Sequence, residues 1–375
     1  MKIASLIKRL EKWVPPDLAE TWDVSGLQVG NPDEETAAVF LCLDVTEETL
    51  KEAAGSGAKL ILCHHPLLFT PLKSLDTRAG VGRLLRDCVL EGLAVYALHT
   101  NLDKAEGGMN DEAAVRLGLR NLEVLIHARP PDGAWYKLVT FVPREDQEPL
   151  LKALFTAGGG RIGAYEGCSF NIPGEGTFFA GEGTSPVVGE KGAWNRVPEV
   201  RVEVLFPARN LEAGITALKT AHPYEEPAYD IYSLHTPLPV AGFGRVGIYD
   251  SPLPWEAFLS RVRRGLGINA FRVVGEPVPA VSRVAVCTGS GAAFISQAAR
   301  RAQVYITGDV KFHEAQEAVS LGLTVIDAGH FALERIFVDL MDRWFEKEGL
   351  KPPLEVIKSA RERDPFIFFH KGEDL

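Results

Sequence analysis

The stretch Leu60-Ile-Leu-Cys-His-His-Pro66 decides how the chain is interpreted, because an apolar run ends in two adjacent histidines. The apolar residues predict a buried β-strand, with His64 and His65 at its carboxyl end. In an open α/β sheet, ligands bind at that end of the strands. Strand alternation would send the two imidazoles to opposite faces, but a turn at Pro66 releases them from it. Both side chains can then face one point.

The composition excludes several classes of protein. A chain of 375 residues is too long for one ordinary core and predicts two or three domains. Its 46% hydrophobic and 24% charged residues are typical of a soluble globular protein. A net charge of −10 argues against a generally basic nucleic-acid surface. No stretch approaches the roughly 20 apolar residues of a membrane span or forms a signal peptide, so we expect a cytoplasmic protein.

Strands and helices alternate along the first third of the chain. An apolar stripe predicts a helix over Ile3–Trp13, and Trp22–Gly30 is expected to be a loop. This alternation predicts a mostly parallel sheet with helices packed on it. The predicted strands are Ala37–Val45, Lys59–Cys63 and Leu93–Leu98, and the helices between them are Thr46–Ala54, with Thr46 as N-cap, and Val81–Glu91.

The middle of the chain has a different pattern. Ala128–Gly133 predicts a linker, and two strand–helix–strand passes around a hairpin then predict a small α+β domain over residues 128–235. The expected strands are Trp135–Pro143, short pieces at Tyr165–Phe170 and Thr177–Ala180, Val200–Phe206 and Ala228–Leu234, with helices at Glu148–Phe155 and Leu211–Ala221.

The α/β alternation resumes in the last third. The strands predicted there are Val284–Cys287, Val304–Thr307 and Thr324–Asp327, and the helices are Trp255–Leu266, His313–Ser320 and a long helix from Phe331. The predicted fold therefore has two related α/β halves with mostly parallel sheets, residues 1–127 and 236–375. The α+β domain is inserted between them.

Polar side chains follow several of the predicted strands. They are His64 and His65, His99–Asp103, Asp309 with His313, and His330 with Glu334. His330 and Glu334 are four residues apart and share one helical face. The positive helix N-terminus favours the neutral, metal-binding imidazole at His330. Taken alone, this spacing favours a surface His–Glu pair worth a few tenths of a kcal/mol over a metal site.

Taken together, these side chains suit a metal site. Three or four histidines with one or two carboxylates are ligands for zinc, manganese, iron or nickel. Five ligands from three loops exceed what one tetrahedral zinc requires. They suit two divalent ions about 3.5–4 Å apart that share a bridging carboxylate or water. The sequence does not identify the metal.

Several motifs resemble the NIF-three-like family, whose bacterial members are called GTP cyclohydrolase I type 2 homologues. The likeness runs nearly end to end, with one departure at Val24, where many relatives have asparagine. The matching motifs are Trp22-Asp-Val-Ser-Gly-Leu-Gln-Val-Gly30, His64-His-Pro-Leu-Leu-Phe69, His99-Thr-Asn-Leu-Asp103 with Gly107–Asn110, Thr307-Gly-Asp309 with His313, and Ala328-Gly-His330 with Glu334.

The resemblance implies a ligand set and an assembly. The ligands would be His64, His65, Asp103, His330 and Glu334, which hold a dinuclear metal centre. The chain would form a homohexameric toroid with its metal sites facing an internal cavity. Residues 128–235 would be an insertion similar to PII and CutA domains, which are ferredoxin-like, with His222–Asp230 as its recognisable stretch.

Two functions remain open at this point, one catalytic and one not. The first is a metal-dependent hydrolase that acts on a nucleotide or phosphoester through a metal-activated water, either GTP cyclohydrolase-like or a phosphoesterase. His99 and His313 would then transfer protons or orient other groups. The second is a non-catalytic regulatory or scaffold hexamer whose inserted domain binds a small molecule. Nucleic-acid binding is disfavoured by the acidic charge, and no membrane partner is expected.

Overall fold

The computed structural model describes residues 1–128, 135–162, 165–234 and 241–367. The chain divides into two compact units, here termed the core unit (Met1–Ala128 with Pro239–Leu375) and the middle unit (Arg129–Leu238). The linker predicted at Ala128–Gly133 lies outside the described residues apart from Ala128. The predicted end of the inserted domain at His235 also lies outside them.

Helices and strands alternate through most of the described residues. The strands are β1 Gly26–Val29, β2 Ala38–Cys42, β3 Leu60–Cys63, β4 Ala94–Ala97, β5 Arg120–His127, β6 Trp135–Pro143, β7 Ser169–Phe179, β8 Trp194–Pro207, β9 Tyr229–Ser233, β10 Gly242–Pro254, β11 Arg272–Val274, β12 Ala280–Val286, β13 Val304–Thr307, β14 Thr324–Asp327 and β15 Glu355–Lys358. The helices are α1 Ile3–Trp13, α2 Glu47–Gly55, α3 Gly80–Glu91, α4 Thr100–Lys104, α5 Met109–Arg116, α6 Gln147–Thr156, α7 Ala208–Ala221, α8 Trp255–Leu266, α9 Ile295–Ala299, α10 Phe312–Ser320, α11 His330–Glu334 and α12 Ile336–Lys347. Among the described helices, none has both the length and the apolar character needed to cross a bilayer.

The first sheet of the core unit has the strand order β1-β4-β3-β2-β15 and is mostly parallel, as predicted. Its edge strand β1 runs antiparallel to β4, in a segment predicted to be a loop. That prediction was wrong because β1 is only four residues long. It is followed by Gly30, which has no side chain and therefore allows the backbone to approach β4 closely. A Cβ on Gly30 would lie 2.4 Å from the Cα of Ala94.

The second sheet has the order β11-β14-β13-β12-β10-β5, and only β12, β13 and β14 are parallel. The prediction of a mostly parallel sheet was wrong here. The chain leaves for the middle unit after β5 and returns at β10, and these two strands pair antiparallel with Gly242 opposite His127. An out-and-back connection of this kind places neighbouring strands in opposite directions.

Both sheets contribute to one hydrophobic core. Val39 and Leu62 of the first sheet lie in the same buried cluster as Val286 and Ile306 of the second. Phe40 and Cys42, which alternate with Val39 along β2, face a second cluster. A strand buried on both faces has a continuous apolar sequence, which is why β2 and β3 are recognisable from sequence.

Two local signals of the sequence have different outcomes. Thr46 caps α2 as predicted: its hydroxyl accepts from the amide of Thr49 at 3.2 Å, and the hydroxyl of Thr49 accepts from the amide of Thr46 at 2.8 Å.

The single long helix predicted from Phe331 is instead two helices, α11 and α12, which meet at Arg335.

The middle unit has an antiparallel sheet of order β7-β8-β6-β9. Its two helices, α6 and α7, bury Leu154 and Leu218 against Val202 and Phe206 of β8. The two short strands predicted at Tyr165–Phe170 and Thr177–Ala180 are one strand, β7, paired with β8 along its full length. Pro173 lies within this strand, and an edge strand tolerates a proline because no ladder hydrogen bond needs its missing amide hydrogen.

A buried arginine ties β10 to α5 in the core unit. The guanidinium of Arg245 donates to both carboxylate oxygens of Asp111 at 2.7 Å. It also donates to the carbonyls of Gly242, Gly244 and Ala105 at 2.7, 2.9 and 3.3 Å. Removal of the side chain would break all five of these hydrogen bonds, although Oδ2 of Asp111 would still accept from the amide of Gly107, and the carbonyl of Ala105 from the amide of Gly108.

We expect Arg245→Ala to lower the free energy of unfolding by about 3–5 kcal/mol, because it leaves a largely buried carboxylate without its partner. Urea denaturation measures the change. Arg78→Ala is the matched control, since Arg78 also binds both oxygens of one aspartate, Asp76, but on the surface. Equal stability losses in the two variants would contradict the structural role of Arg245.

Candidate metal centre

The two adjacent histidines face the same point because the chain turns as β3 ends. The amides of His64 and His65 both donate to the carbonyl of Leu43, at 3.2 and 3.0 Å. Two successive amides that share one acceptor break the strand alternation. The imidazole centroids are consequently only 5.3 Å apart.

His64 is fully buried, and one ring nitrogen has an identified partner. Its Nδ1 donates to the carbonyl of Leu98 at 2.7 Å, which leaves Nε2 as a lone-pair donor. Nε2 lies 3.8 Å from Oδ1 of Asp103 and 3.7 Å from Oε1 of Glu334. Within the described part of the chain this nitrogen has no hydrogen-bond partner. A buried polar atom without one is rare and indicates a ligand site.

His65 and His330 are oriented by carboxylates in the same way. Nδ1 of His65 donates to Asp44 at 2.8 Å, and Nδ1 of His330 donates to Asp309 at 2.7 Å. Their Nε2 atoms then lie 3.4 Å from each other. A carboxylate on Nδ1 is how proteins commonly fix the tautomer of a metal-binding histidine.

Glu334, at the end of α11, joins the three imidazoles. Its Oε2 lies 2.8 Å from Nε2 of His65 and 2.7 Å from Nε2 of His330, although neither contact has hydrogen-bond geometry. Burial alone would raise the pKa of Glu334, but the surrounding imidazoles outweigh it and hold the pKa well below its ordinary value. Glu334 is therefore a carboxylate in the protein interior.

A glycine makes room for this carboxylate. Gly289 has a φ of +63°, and a Cβ at that position would lie 2.2 Å from Oε1 of Glu334. Any side chain there would be strained and would displace the carboxylate. Gly289 thus belongs to the site without contributing a donor atom.

Asp103, on α4, lies beside His64 and has hydrogen-bond partners of its own. Its Oδ1 accepts from the hydroxyl of Thr288 at 3.2 Å. Asn110 donates to the carbonyl of Asp103 at 2.9 Å and accepts from the amide of Thr288 at 3.0 Å. Burial raises the pKa of Asp103.

The donors fit a divalent cation. One donor atom from each of His64, His65 and Glu334 lies within 4.8 Å of the others, so this cluster can hold a metal ion. Imidazole nitrogen with carboxylate oxygen suits zinc, manganese, iron or nickel. Cys63 is turned away, with its thiol near the carbonyl of Tyr96 at 3.7 Å, and burial raises its pKa.

The other predicted residues are placed differently. His99 is beside the cluster: its ring centroid is 5.4 Å from that of His64 and 5.8 Å from that of His65. Its Nδ1 donates to Asp23 at 2.9 Å. His313 is exposed on α10, where its described contacts are with Gln316 and Phe312 of the same helix.

Four residues that support the site were not assigned a role from the sequence. Asp44 follows β2 at the same sheet edge as the histidines, a position that could have suggested it. Asp23 is hidden in a loop, yet it accepts hydrogen bonds from His99, Thr100 and Ser25. Burial would raise its pKa, but these hydrogen bonds lower it below its ordinary value. The other two residues are Asn110 and Thr288, of which Asn110 lies in the motif Gly107–Asn110.

Comparison with known proteins places these observations in a family. The family model Duf34/NIF3 (NGG1p interacting factor 3) matches residues 1–365. A Halalkalibacterium halodurans protein named GTP cyclohydrolase 1 type 2 homolog is 38% identical over 98% of this chain and 100% of its own length. A Bacillus subtilis protein of the same name is 38% identical over 97% of both chains.

Solved structures agree with the sequence comparison. A Bacillus cereus protein related to NIF3 matches with a TM-score of 0.66 and 38% identity, over 98% of this chain and 99% of its own. A Staphylococcus aureus protein matches with a TM-score of 0.74 and 30% identity, over the same shares. The mixed α/β fold with several sheets is therefore shared with these proteins.

We expect Glu334→Gln to lose more than half of the metal bound by the parent protein, because an amide is a weaker ligand than a carboxylate. Elemental analysis of protein purified without a histidine tag gives the metal content. His313→Ala is the control, since it removes an imidazole outside the cluster. Equal metal content in the parent, Glu334→Gln and His313→Ala would contradict this site.

We expect the affinity for zinc to rise with pH. Burial opposes protonation of His65, but Asp44 and Glu334 outweigh it and raise its pKa to about 10. Glu334 chiefly raises the pKa of His330 to about 9. The prediction of a neutral imidazole at His330 was therefore wrong for the metal-free protein, since the carboxylates outweigh the helix N-terminus. Both imidazoles are protonated at neutral pH and must release a proton to bind metal.

Competition with a chelator between about pH 6.5 and pH 9 measures this dependence, and calorimetry in buffers of different ionisation enthalpy measures the released protons. Binding that neither strengthens with pH nor releases protons would be inconsistent with these two ligands.

Proposed function

The chain belongs to the Duf34/NIF3 family, and on this premise we propose that it is a metal-dependent hydrolase acting on a nucleotide or a phosphoester. The name of its relatives, GTP cyclohydrolase 1 type 2 homolog, makes a nucleotide the first substrate class to consider. The observation that carries the proposal is the position of the Glu334 carboxylate between two sets of donors.

Each oxygen of Glu334 faces different partners, which supports a centre of two metal ions. Oε1 is on the side of His64, whose Nε2 also faces Asp103. Oε2 is on the side of His65 and His330. When bound there, two divalent cations would lower the pKa of a shared water and polarise the bond under attack.

The chain's own residues position and tune this centre. Asp44 and Asp309 accept from Nδ1 of His65 and His330 and so keep the two Nε2 atoms directed at Glu334. His99, held by Asp23 and in contact with the rings of both adjacent histidines, is the candidate for proton transfer. His313, whose described contacts are on its own helix, is not placed for that role.

We also propose the assembly and the identity of the middle unit. The protein would form a homohexameric toroid with its metal sites facing an internal cavity, and the middle unit would be an inserted domain of the PII and CutA type. What supports the second point is the antiparallel sheet of β7-β8-β6-β9 with α6 and α7 packed through Leu154 and Leu218.

The non-catalytic alternative is tested by the same experiment. A regulatory assembly would bind its effector in the middle unit, where a cavity of about 610 Å³ is lined by Phe141, Arg201 and Tyr224 among others. Stable metal binding without turnover of any nucleotide or phosphoester would favour that alternative.

We expect turnover of nucleotides or phosphoesters to rise with metal loading and to level off at about two ions per chain. Glu334→Gln should abolish turnover, and His99→Gln should lower kcat by about 10²–10⁴-fold without changing the metal content. Steady-state kinetics with elemental analysis on the same samples measures both quantities.

The control for Glu334→Gln is Glu346→Gln, the same substitution at an exposed position of α12. Fully loaded parent protein that turns over no substrate of either class would overturn the hydrolase proposal. A loss of metal in His99→Gln would show that His99 supports the ligands rather than the reaction.

A further inference from the structure

Two exposed aromatic side chains border the metal-ligand cluster. Trp22 is 58% exposed and Phe69 is 54% exposed. Their ring centroids are 6.0 Å apart, and each lies 6.1 Å from the ring of His99. Single exposed aromatic residues are normal in proteins, but a contiguous pair beside a polar cluster indicates a binding surface. We refer to Trp22 and Phe69 as the aromatic rim.

The backbone that carries the rim is firmly held. Gln28 bridges its two loops: the side-chain amide donates to the carbonyl of Val24 at 2.5 Å and accepts from the amide of Leu68 at 3.1 Å. Asp23, next to Trp22, accepts from the amide of Thr100 at 3.1 Å and from the hydroxyl of Ser25 at 2.7 Å. The two rings are exposed on anchored loops, which is the arrangement of a preformed binding surface.

The rim is continuous with the cluster through one residue. The ring of His99 contacts Trp22 and Phe69 and also His64 and His65, at centroid distances of 5.4 and 5.8 Å for the last two. His99 is itself fixed by Asp23. A ring bound on the aromatic rim would therefore be separated from the metal-binding donors only by the imidazole of His99.

We propose that Trp22 and Phe69 bind the planar heteroaromatic ring of the substrate, which makes the substrate a nucleobase-bearing compound rather than a ring-free phosphoester. The inference rests on the proposed function and narrows its substrate class. Aromatic side chains stack on a base through its π-face, so they favour a planar ring without selecting one base. Selection among bases would need other contacts.

The test compares the binding of guanosine 5′-monophosphate and ribose 5-phosphate to metal-loaded protein by calorimetry. Both probes carry a phosphate, and only the first carries a ring. Trp22→Leu and Phe69→Leu should each lower the affinity for the nucleotide by about 5- to 150-fold, the typical contribution of one stacking contact. They should leave ribose 5-phosphate affinity and metal content unchanged. Trp22→Phe, which keeps a ring, should retain most of the nucleotide affinity.

A matched control exists in the middle unit. Trp194 is 78% exposed and contacts Phe179 at 5.7 Å, so it forms a second exposed Trp–Phe pair with no metal-ligand cluster described beside it. Trp194→Leu should change neither affinity. An equal effect of Trp194→Leu and Trp22→Leu would overturn the proposal.

Three other results would also overturn it. In the first, the parent binds the nucleotide no more tightly than ribose 5-phosphate. In the second, Trp22→Leu lowers the affinity for both probes equally. In the third, Trp22→Leu changes the molecular mass in solution but not nucleotide affinity, which would assign the rim to contacts between copies of the chain. Ring-dependent binding without turnover would instead contradict the proposed hydrolase activity and support the role of the aromatic rim in binding.

Discussion

Glu334 is only 4% exposed, and three imidazoles compensate the negative charge of its buried carboxylate. An isolated buried carboxylate would be very costly, so the fold must bring His64, His65 and His330 to it. One of these imidazoles also lacks a partner, because the buried Nε2 of His64 has no hydrogen bond within the described residues. Each group is thus acceptable in the interior only because of the others, and the set as a whole is suited to a cation.

Much of the surrounding structure serves this constraint. Asp44 and Asp309 orient two of the imidazoles from outside the cluster. Gly289 leaves the space that the carboxylate occupies. Asp309 itself has a φ of +56°, an unusual backbone conformation for a residue other than glycine. Such strain is found at functional sites, where neighbouring contacts maintain it.

The side chains of the cluster come from both sheets of the core unit. The first supplies the two adjacent histidines after β3, and Asp103 after β4; the second supplies His330 and Glu334 after β14. One hydrophobic core joins the two sheets, so the donors from both are held rigidly together. The long excursion through the middle unit separates the two groups in sequence, yet β5 and β10 bring the chain back beside itself.

The sequence by itself determined the strands β2, β3, β13 and β14 and the polar residues that follow them, because strands buried on both faces are apolar throughout and end abruptly at polar side chains. It did not reveal β1, the full length of β7 or the antiparallel half of the second sheet, since those depend on pairing with distant segments. Nor did it show which polar side chains meet. Only the tertiary structure brought Asp44, Asp23 and Gly289 to the cluster, separated His313 from it, and placed Trp22 beside Phe69. The physical reason is that donor distances and ring contacts depend on how the sheets pack, whereas local patterns record only which face of each segment is buried.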